Sequence, residues 1–162
     1  MSAQSLQPTK ALSVIEFSDA DIPFPSGVAT GNPSSLSINQ LIDTSVNFQE
    51  LNFKVNDVVY NVTDNTAAMI TEISGDTLTL NADIFVSTSD VYKVFPSGQN
   101  QGCLVHLSTP TASDVIRCTI KTAAGDIIDG IYLSQGYHPI QLLNIYNTVS
   151  TSGDPVKIVA FW

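Results

Sequence analysis

The sequence predicts an all-β protein, in which a β-sandwich or barrel-like domain holds a smaller inserted all-β module. Apolar and polar residues alternate along "DVIRCTIKT" (114–122) and "TLTLNADIF" (77–85), and this period of two is typical of half-buried strands. Turn sequences such as "SGD" (74–76) and "TSGD" (151–154) separate the strands at short intervals, as in sandwiches and barrels. Helical spacing is confined to "SLSINQLID" (35–43), the one stretch that could form a helical turn.

The chain divides into zones of different composition. Residues 1–9 are polar and are expected to form a flexible N-terminal arm. The strand that follows is stopped by two prolines, since proline cannot donate to a ladder. We assign its segment, 10–26, to a discontinuous main β domain together with 99–162. Residues 27–98 form the inserted β module with its flanking linkers, which are rich in small residues.

Charge and composition exclude several classes of protein. The chain has 162 residues, of which 43% are hydrophobic, and a formal net charge of −9. Its single arginine, Arg117, and five lysines cannot form the basic face that nucleic acids or anionic membranes require. No apolar run approaches the ~20 residues of a membrane span, and the N-terminus shows no secretory signal. We therefore expect a soluble protein made in a cytoplasm, without nucleic-acid or membrane partners.

The two cysteines do not form a disulfide framework. If residues 103–108 and 114–121 formed a hairpin, Cys103 would fall opposite Cys118 within about one register step, close enough to be bridged. Two buried, reduced thiols that pack as small hydrophobic groups are the favoured interpretation.

Residues that could perform chemistry are few. His106 alternates with apolar residues in a predicted strand, and His138 precedes a proline, so neither resembles a general base or a metal ligand. Loop carboxylates at Asp19, Asp21 and Asp64 could bind Ca²⁺, but aspartates in turns more often bond the local backbone. The sequence predicts no enzyme, with no catalytic, cofactor-binding or metal-binding residues.

A series of motifs in residues 103–162 carries a family resemblance. An apolar strand is followed by a Gly-Asp turn, a Gly-x-x-Pro loop, a Thr/Ser/Gly turn and a terminal strand that ends on tryptophan. The matching pieces are Ala124-Gly125-Asp126, Gly136-Tyr137-His138-Pro139, Thr151-Ser152-Gly153 and Ile158-Val159-Ala160-Phe161-Trp162. This order resembles the spike-base and decoration-type virion proteins of tailed bacteriophages and phage-like gene transfer agents. The opening "ALSVIEFSDADIP" (11–23) looks like the first segment of that family.

The middle of the chain resembles a second module of phage virion proteins. It reads as a lead-in strand, "VNDVVYNVTDNTAAMITEI" (55–73), then "DTLTLNADIF" (76–85) and a closing "VYKVF" (91–95). The shorter spike-base relatives lack this module.

The resemblance implies a structural role in a virion. It suggests a decoration, cement or spike-base protein on the head surface, which binds the major capsid protein or other virion proteins and is assembled in the bacterial host cytoplasm. A homo-oligomer is expected, with a trimer or a pentamer suiting a capsid site. One alternative is a neck, tail or baseplate adaptor for fibres. Another is a carbohydrate-binding module that recognises a host glycan, with Tyr60, Tyr92 and Tyr137 as candidate platforms.

Aromatic residues near the C-terminus are the candidate contact residues, because aromatics dominate protein interfaces. The alternative is that they fill the core of the monomer. The candidates are Tyr132, Tyr137, His138, Tyr146, Phe161 and Trp162. A terminal strand that bears the only tryptophan is expected to be central in its sheet or buried between subunits. Its removal is then expected to abolish folding or assembly.

Overall fold

The computed structural model of the protein describes residues 8–162, and every regular element in it is a β-strand. The strands are β1 (Ala11–Val14), β2 (Ala29–Gly31), β3 (Ser35–Ser37), β4 (Gln40–Ile42), β5 (Val58–Asn61), β6 (Thr66–Ser74), β7 (Thr77–Leu80), β8 (Tyr92–Phe95), β9 (Cys103–Ser108), β10 (Val115–Thr122), β11 (Ile127–Ser134), β12 (Gly136–Ser150) and β13 (Lys157–Phe161). They form two antiparallel sheets, one of which curls into a half-barrel. The predicted all-β fold class is confirmed.

The chain divides into two compact units. The first contains the described residues up to Val14 together with Gln101–Trp162, and the second contains Ile15–Asn100. Within residues 8–162, no helix is long and apolar enough to cross a membrane.

The first unit is a six-stranded sheet in the order β1-β13-β9-β12-β10-β11. Buried and outward-facing residues alternate along its strands, and the buried ones form the core of the unit. Cys103, Val105 and Leu107 of β9 are buried, and Ile158 and Ala160 of β13 are buried in the same way. The residues between them lie on the opposite, outward face, as the period of two requires.

The C-terminal strand lies inside this sheet, between β1 and β9. Beyond β13, the backbone N–H of Trp162 donates to the carbonyl of Lys10 at 3.0 Å, and the Trp162 carbonyl accepts from the N–H of Thr9 at 2.6 Å. Thr9 belongs to the predicted flexible arm, so this part of the arm is held against the end of the sheet. The rest of the predicted arm, residues 1–7, lies outside the described residues.

Residues 15–26, and residues 99 and 100, belong to the second unit, whereas they were predicted to be part of the main domain. The predicted strand ends at Val14, and Ile15 and Ile22 are buried. The side chain of Asn81 donates to Asp19 at 3.2 Å, and that of Ser26 donates to Gln99 at 3.0 Å. These contacts join the segment to residues 81 and 99 of its own unit.

The hairpin proposed between the two cysteine-bearing strands does not form. The 15-residue strand β12 lies between β9 and β10, so Cys103 faces Leu142 and Cys118 faces Ile131. Both cysteines are buried and are not joined in a disulfide. The error came from pairing consecutive strands, which neighbour each other often but not always.

A buried carboxylate organises one end of the first unit. Asp114 accepts hydrogen bonds from the hydroxyls of Ser152 (2.6 Å), Thr109 (2.9 Å) and Thr151 (3.0 Å), and from the backbone N–H of Ser152 (3.1 Å). The hydrogen bond from the Ser152 hydroxyl is the largest influence on the pKa of Asp114, and together with the bonds from Thr109 and Thr151 it outweighs desolvation and lowers that pKa below its usual value of 3.8. The ionised carboxylate therefore joins the loop before β10 to the turn after β12.

This network predicts a loss of stability in acid. Because the folded pKa of Asp114 lies below the unfolded pKa, its contribution is present above pH 3.8 and is lost as the pH falls through the folded value. We expect Asp114→Asn to have a lower Tm than the wild type at pH 7, and the difference to shrink below pH 3.8. Calorimetry at a series of pH values measures this. A difference that stays constant with pH would show that ionisation of Asp114 does not matter.

The second unit is a seven-stranded sheet in the order β2-β8-β5-β6-β7-β4-β3. Its nine-residue strand β6 pairs with β5 through its first half and with β7 through its second half. Large apolar side chains fill the core. They include Leu41, Phe48, Phe53, Val59, Ile70, Leu78, Leu80, Phe85 and Val94.

The helical turn considered for residues 35–43 is wrong. These residues form the hairpin β3–β4, with Ser37 opposite Gln40 and a two-residue turn at Ile38 and Asn39. Asn39 has a φ of +57°, a left-handed conformation that asparagine tolerates better than most residues. Leu36 and Leu41 pair across the hairpin, which explains apolar spacing that also suited a helix.

A buried tyrosine and a carboxylate meet inside the second unit. The hydroxyl of Tyr92 donates to Asp43 at 2.6 Å, and both residues are buried. Burial raises the pKa of Asp43, but hydrogen bonds from Ser45, Tyr92 and Ser34 more than offset this, so that the net pKa is lowered. Burial and the neighbouring carboxylate raise the pKa of Tyr92. Asp43 is therefore ionised and Tyr92 protonated near neutral pH.

Candidate functional site

The outward face of the first sheet holds an aromatic groove. Tyr137, at the start of β12, lies opposite His106 of β9, and their ring centroids are 4.8 Å apart. The ring of Phe161, from β13, lies 5.5 Å from that of Tyr137. The groove has a volume of about 410 Å³. It is lined by Pro8, Leu104, Tyr137, His138, Pro139 and Phe161.

Strand alternation and a proline shape this groove. Leu104 and His106 occupy the outward positions of β9 because their neighbours fill the core. Pro139 lies within β12 where the register with β9 shifts, and proline in a sheet is found mainly at edges and bulges. Tyr137 is 68% exposed, so the groove presents an aromatic surface to solvent.

A second exposed group lies on the same sheet, at its other end. Arg117 of β10 lies opposite Tyr132 on β11 and opposite Val149 on β12. Tyr132 is 66% exposed, and Val115 and Val149 are also exposed. We call these four residues the Tyr132 patch. An arginine between an aromatic and an aliphatic side chain is a composition typical of protein interfaces.

The structure brings together three of the six predicted contact residues. Tyr137, His138 and Phe161 line the aromatic groove, while Tyr132 lies on β11. Tyr146 is half-buried in β12, and Trp162 is half-buried just beyond β13. None of the six belongs to the fully buried core.

Sequence reasoning missed Leu104, His106 and Arg117. Their strands were predicted, but His106 was interpreted as a residue of the sheet, and Leu104 and Arg117 were assigned no contact role. The available signal was the combination of alternation with apolar or aromatic residues at outward positions. Such a strand has apolar side chains on both faces. One face packs in the core, and the apolar side chains of the other face indicate a contact with a partner outside the sheet.

Two of the three candidate sugar platforms are buried. Tyr60 and Tyr92 lie in the core of the second unit, where Tyr60 packs edge-to-face on Phe95. Only Tyr137 of that set presents its ring to solvent. A row of exposed tyrosines for a glycan is therefore not formed by these residues.

Histidine and carboxylate side chains do not converge on a metal site within residues 8–162. The ring of His138 contacts the Ser134 carbonyl at 2.8 Å, and His106 packs on Tyr137. Asp19 and Asp64 each accept a hydrogen bond from a nearby asparagine side chain. These residues thus make local structural contacts.

Charge is divided unequally between the two units. The first unit has four basic residues and four acidic ones, so its formal charge is zero. They are Lys10, Arg117, Lys121 and Lys157, and Asp114, Asp126, Asp129 and Asp154. The second unit has eleven acidic residues and two lysines, which accounts for the whole net charge of −9. The aromatic groove and the Tyr132 patch both lie on the first unit, which has no net charge.

No family model, curated protein or solved structure matches the chain.

Proposed function

We propose that the chain is a structural, non-enzymatic protein of a bacteriophage virion, a decoration, cement or spike-base protein that binds the capsid shell. The observation on which this depends is the exposed aromatic groove on the first unit, which has no net charge. The motif order of residues 103–162, which resembles virion proteins of this type, supports it independently.

The groove suits a protein partner. Tyrosine and phenylalanine give a large contact area at low cost in conformational entropy, and such anchors supply much of the binding energy at interfaces. A concave surface of about 410 Å³ has room for a few apolar side chains from a capsid loop. Leu104 and Pro139 add apolar surface without charge that would have to be desolvated.

The division of charge suggests which unit attaches to the shell. A unit without net charge packs against a shell with little repulsion between neighbouring copies. The acidic second unit remains hydrated, and its negative charge makes unassembled copies of the chain repel each other. The first unit then anchors the protein, and the second unit is displayed to the solvent.

Immunogold electron microscopy of particles from the source phage, with antibody against this chain, tests the proposal. Gold over the head or at its vertices supports a decoration or spike-base role. Gold at the neck or tail would replace it with the adaptor role. If gold does not bind and the chain is also missing from the mass spectrum of the particles, the virion proposal is overturned.

A groove variant tests the anchoring surface. Tyr137→Lys places a charge in the groove at a side chain that is already exposed, so the fold is expected to survive. We expect at least about a tenfold loss of the chain from purified particles, which corresponds to roughly 1.4 kcal/mol of binding free energy. Quantitative mass spectrometry of particles assembled with the variant measures this. The matched control is Val86→Lys on the second unit, which adds the same charge at an exposed position. Equal occupancy of both variants would contradict the assignment.

A further inference from the structure

Strand β11 forms one end of the first sheet, and no strand lies beyond it in that sheet among residues 8–162. It is eight residues long, and Ile127, Ile128 and Tyr132 are exposed along it. The backbone N–H and C=O groups of an open edge can pair with another strand. The edge of β11 is thus a possible docking position for a strand from another molecule.

This edge lacks the residues that usually protect open edges. The strand "IIDGIYLS" contains no lysine, arginine or proline, and Asp129 is its only charged residue. The Asp129 carboxylate accepts a hydrogen bond from Thr119 on β10 at 2.6 Å. That bond, with a contribution from the charge of Arg117, lowers the pKa of Asp129. The Asp129 carboxylate is therefore engaged with residues of β10, and it does not prevent another strand from pairing with the edge.

A bulge limits the regular part of the edge. Gly130 has a φ of +67°, and the register between β10 and β11 shifts at this point. From Ile131 to Ser134 the pairing with β10 is continuous. The regular register of this segment suits a partner strand, whereas bulges discourage pairing. At its end the Ser134 carbonyl already contacts the ring of His138, so Ile131 to Leu133 form the available part.

Side-chain alternation restricts how such a partner can align. Tyr132 and Ser134 are exposed on the outward face, while Ile131 and Leu133 are half-buried on the core face. Two copies of β11 that pair antiparallel about a two-fold axis must place residues of the same face opposite each other. An axis through Tyr132 does this, because Tyr132 then faces its own copy and Ile131 faces Leu133 of the second molecule.

We propose that two copies of the chain associate edge to edge through β11, with the two-fold axis at Tyr132. Aromatic residues then pair on the outward face and apolar residues on the core face, both of which are favourable cross-strand pairs. No charged residue lies between Gly130 and Ser134, so like charges do not meet. A second copy is the occupant because this register is self-complementary and the unit that carries the edge has no net charge. The acidic second units repel each other and weaken the association. The dimer goes beyond the proposed virion role and does not depend on it.

The dimer is expected to be weak. About this axis Ser134 falls opposite the bulge residue Gly130, so only residues 131–133 pair regularly. So short an edge buries less than the ~800 Å² per partner of a standard interface. Association is therefore expected in the micromolar range and to depend on protein concentration.

Analytical ultracentrifugation of the full chain from roughly 1 to 100 μM tests the dimer. The wild type is expected to shift from monomer to dimer. Tyr132→Lys places like charges opposite each other and is expected to weaken the dimer at least about tenfold. The control, Val86→Lys, adds the same charge at an exposed position of the second unit, outside the sheet that carries the edge. A monomer at all concentrations, or an assembly that Tyr132→Lys leaves intact, overturns the proposal.

A cysteine cross-link tests the position of the axis. Directly opposed residues on antiparallel strands have Cβ atoms about 4.5–5.5 Å apart, so Tyr132→Cys in a dimer about this axis is expected to form a disulfide under mild oxidation. Val86→Cys, at an exposed position of the second unit, is the matched control and is expected to cross-link at least about tenfold more slowly. The native cysteines are buried and are expected to be unreactive in the folded wild type. If both variants cross-link at the same rate, the proposed axis is wrong.

Discussion

Deletion of Phe161 and Trp162 is expected to lower the free energy of unfolding of the first unit by about 4 kcal/mol. The deletion removes the backbone bonds of Trp162 to Thr9 and Lys10, each worth about 1 kcal/mol. It also removes two half-buried aromatic side chains, and Phe161 takes part in the ring cluster of the groove. Since small proteins are stable by about 5–15 kcal/mol, a large part of the stability is lost.

Calorimetry of the full chain and the deletion variant measures this effect. Trp162→Ala separates the side chain from the backbone, because alanine keeps the hydrogen bonds to Thr9 and Lys10. We expect this variant to lose less than half as much stability as the deletion. An unchanged Tm in the deletion variant would show that the end of the chain contributes nothing to the fold.

Asp43→Ala is expected to destabilise the second unit by about 3 kcal/mol, because it leaves the buried hydroxyl of Tyr92 without its acceptor and removes the bonds from Ser45. The hydroxyl of Tyr92 donates to this carboxylate at 2.6 Å, and the hydroxyl and backbone N–H of Ser45 donate at 2.6 and 2.9 Å. A loss of this size corresponds to a fall in Tm of roughly 6–12 °C for a chain of this length. Thermal unfolding monitored by calorimetry measures it.

Tyr92→Phe provides the matched comparison. It removes one donor to Asp43 and leaves the bonds from Ser45 in place, so we expect a loss of only about 1–2 kcal/mol. If Tyr92→Phe costs as much as Asp43→Ala, the bonds from Ser45 are irrelevant and the tyrosine alone explains the effect. If neither variant changes the Tm, the buried network does not stabilise the unit.

The all-β class was predictable because alternation is a local property of the sequence. The period of two along 114–122 and 77–85 required no knowledge of strand partners. The pairing of Cys103 was not predictable, because it depends on where the distant strand β12 lies in the sheet. Residues 35–43 were ambiguous for a different reason. Their apolar spacing suits both a helix and a hairpin. The left-handed conformation of Asn39 fits the turn of a hairpin and is incompatible with a helix.

The aromatic groove was predictable only in part. Tyr137, His138 and Phe161 were selected as aromatic residues near the C-terminus, but nothing local indicates that β12 and β13 both lie beside β9. Leu104 and His106 acquire a role only through that arrangement. Composition therefore identified some members of the groove, while sheet order determined which of them meet.

The pairing of β1 with β13 constrains the order of events during synthesis. Thr9 and its hydrogen-bond partner Trp162 are separated by 153 positions. At the usual ribosomal rate of about 5–20 residues per second, β1 waits roughly 8–30 s for its partner strand. All strands of the second unit emerge before that time, so this unit can fold while β1 is still unpaired. While it is unpaired on the nascent chain, β1 can bind chaperones or neighbouring nascent chains. This site is lost when β13 pairs with β1 and completes the first sheet.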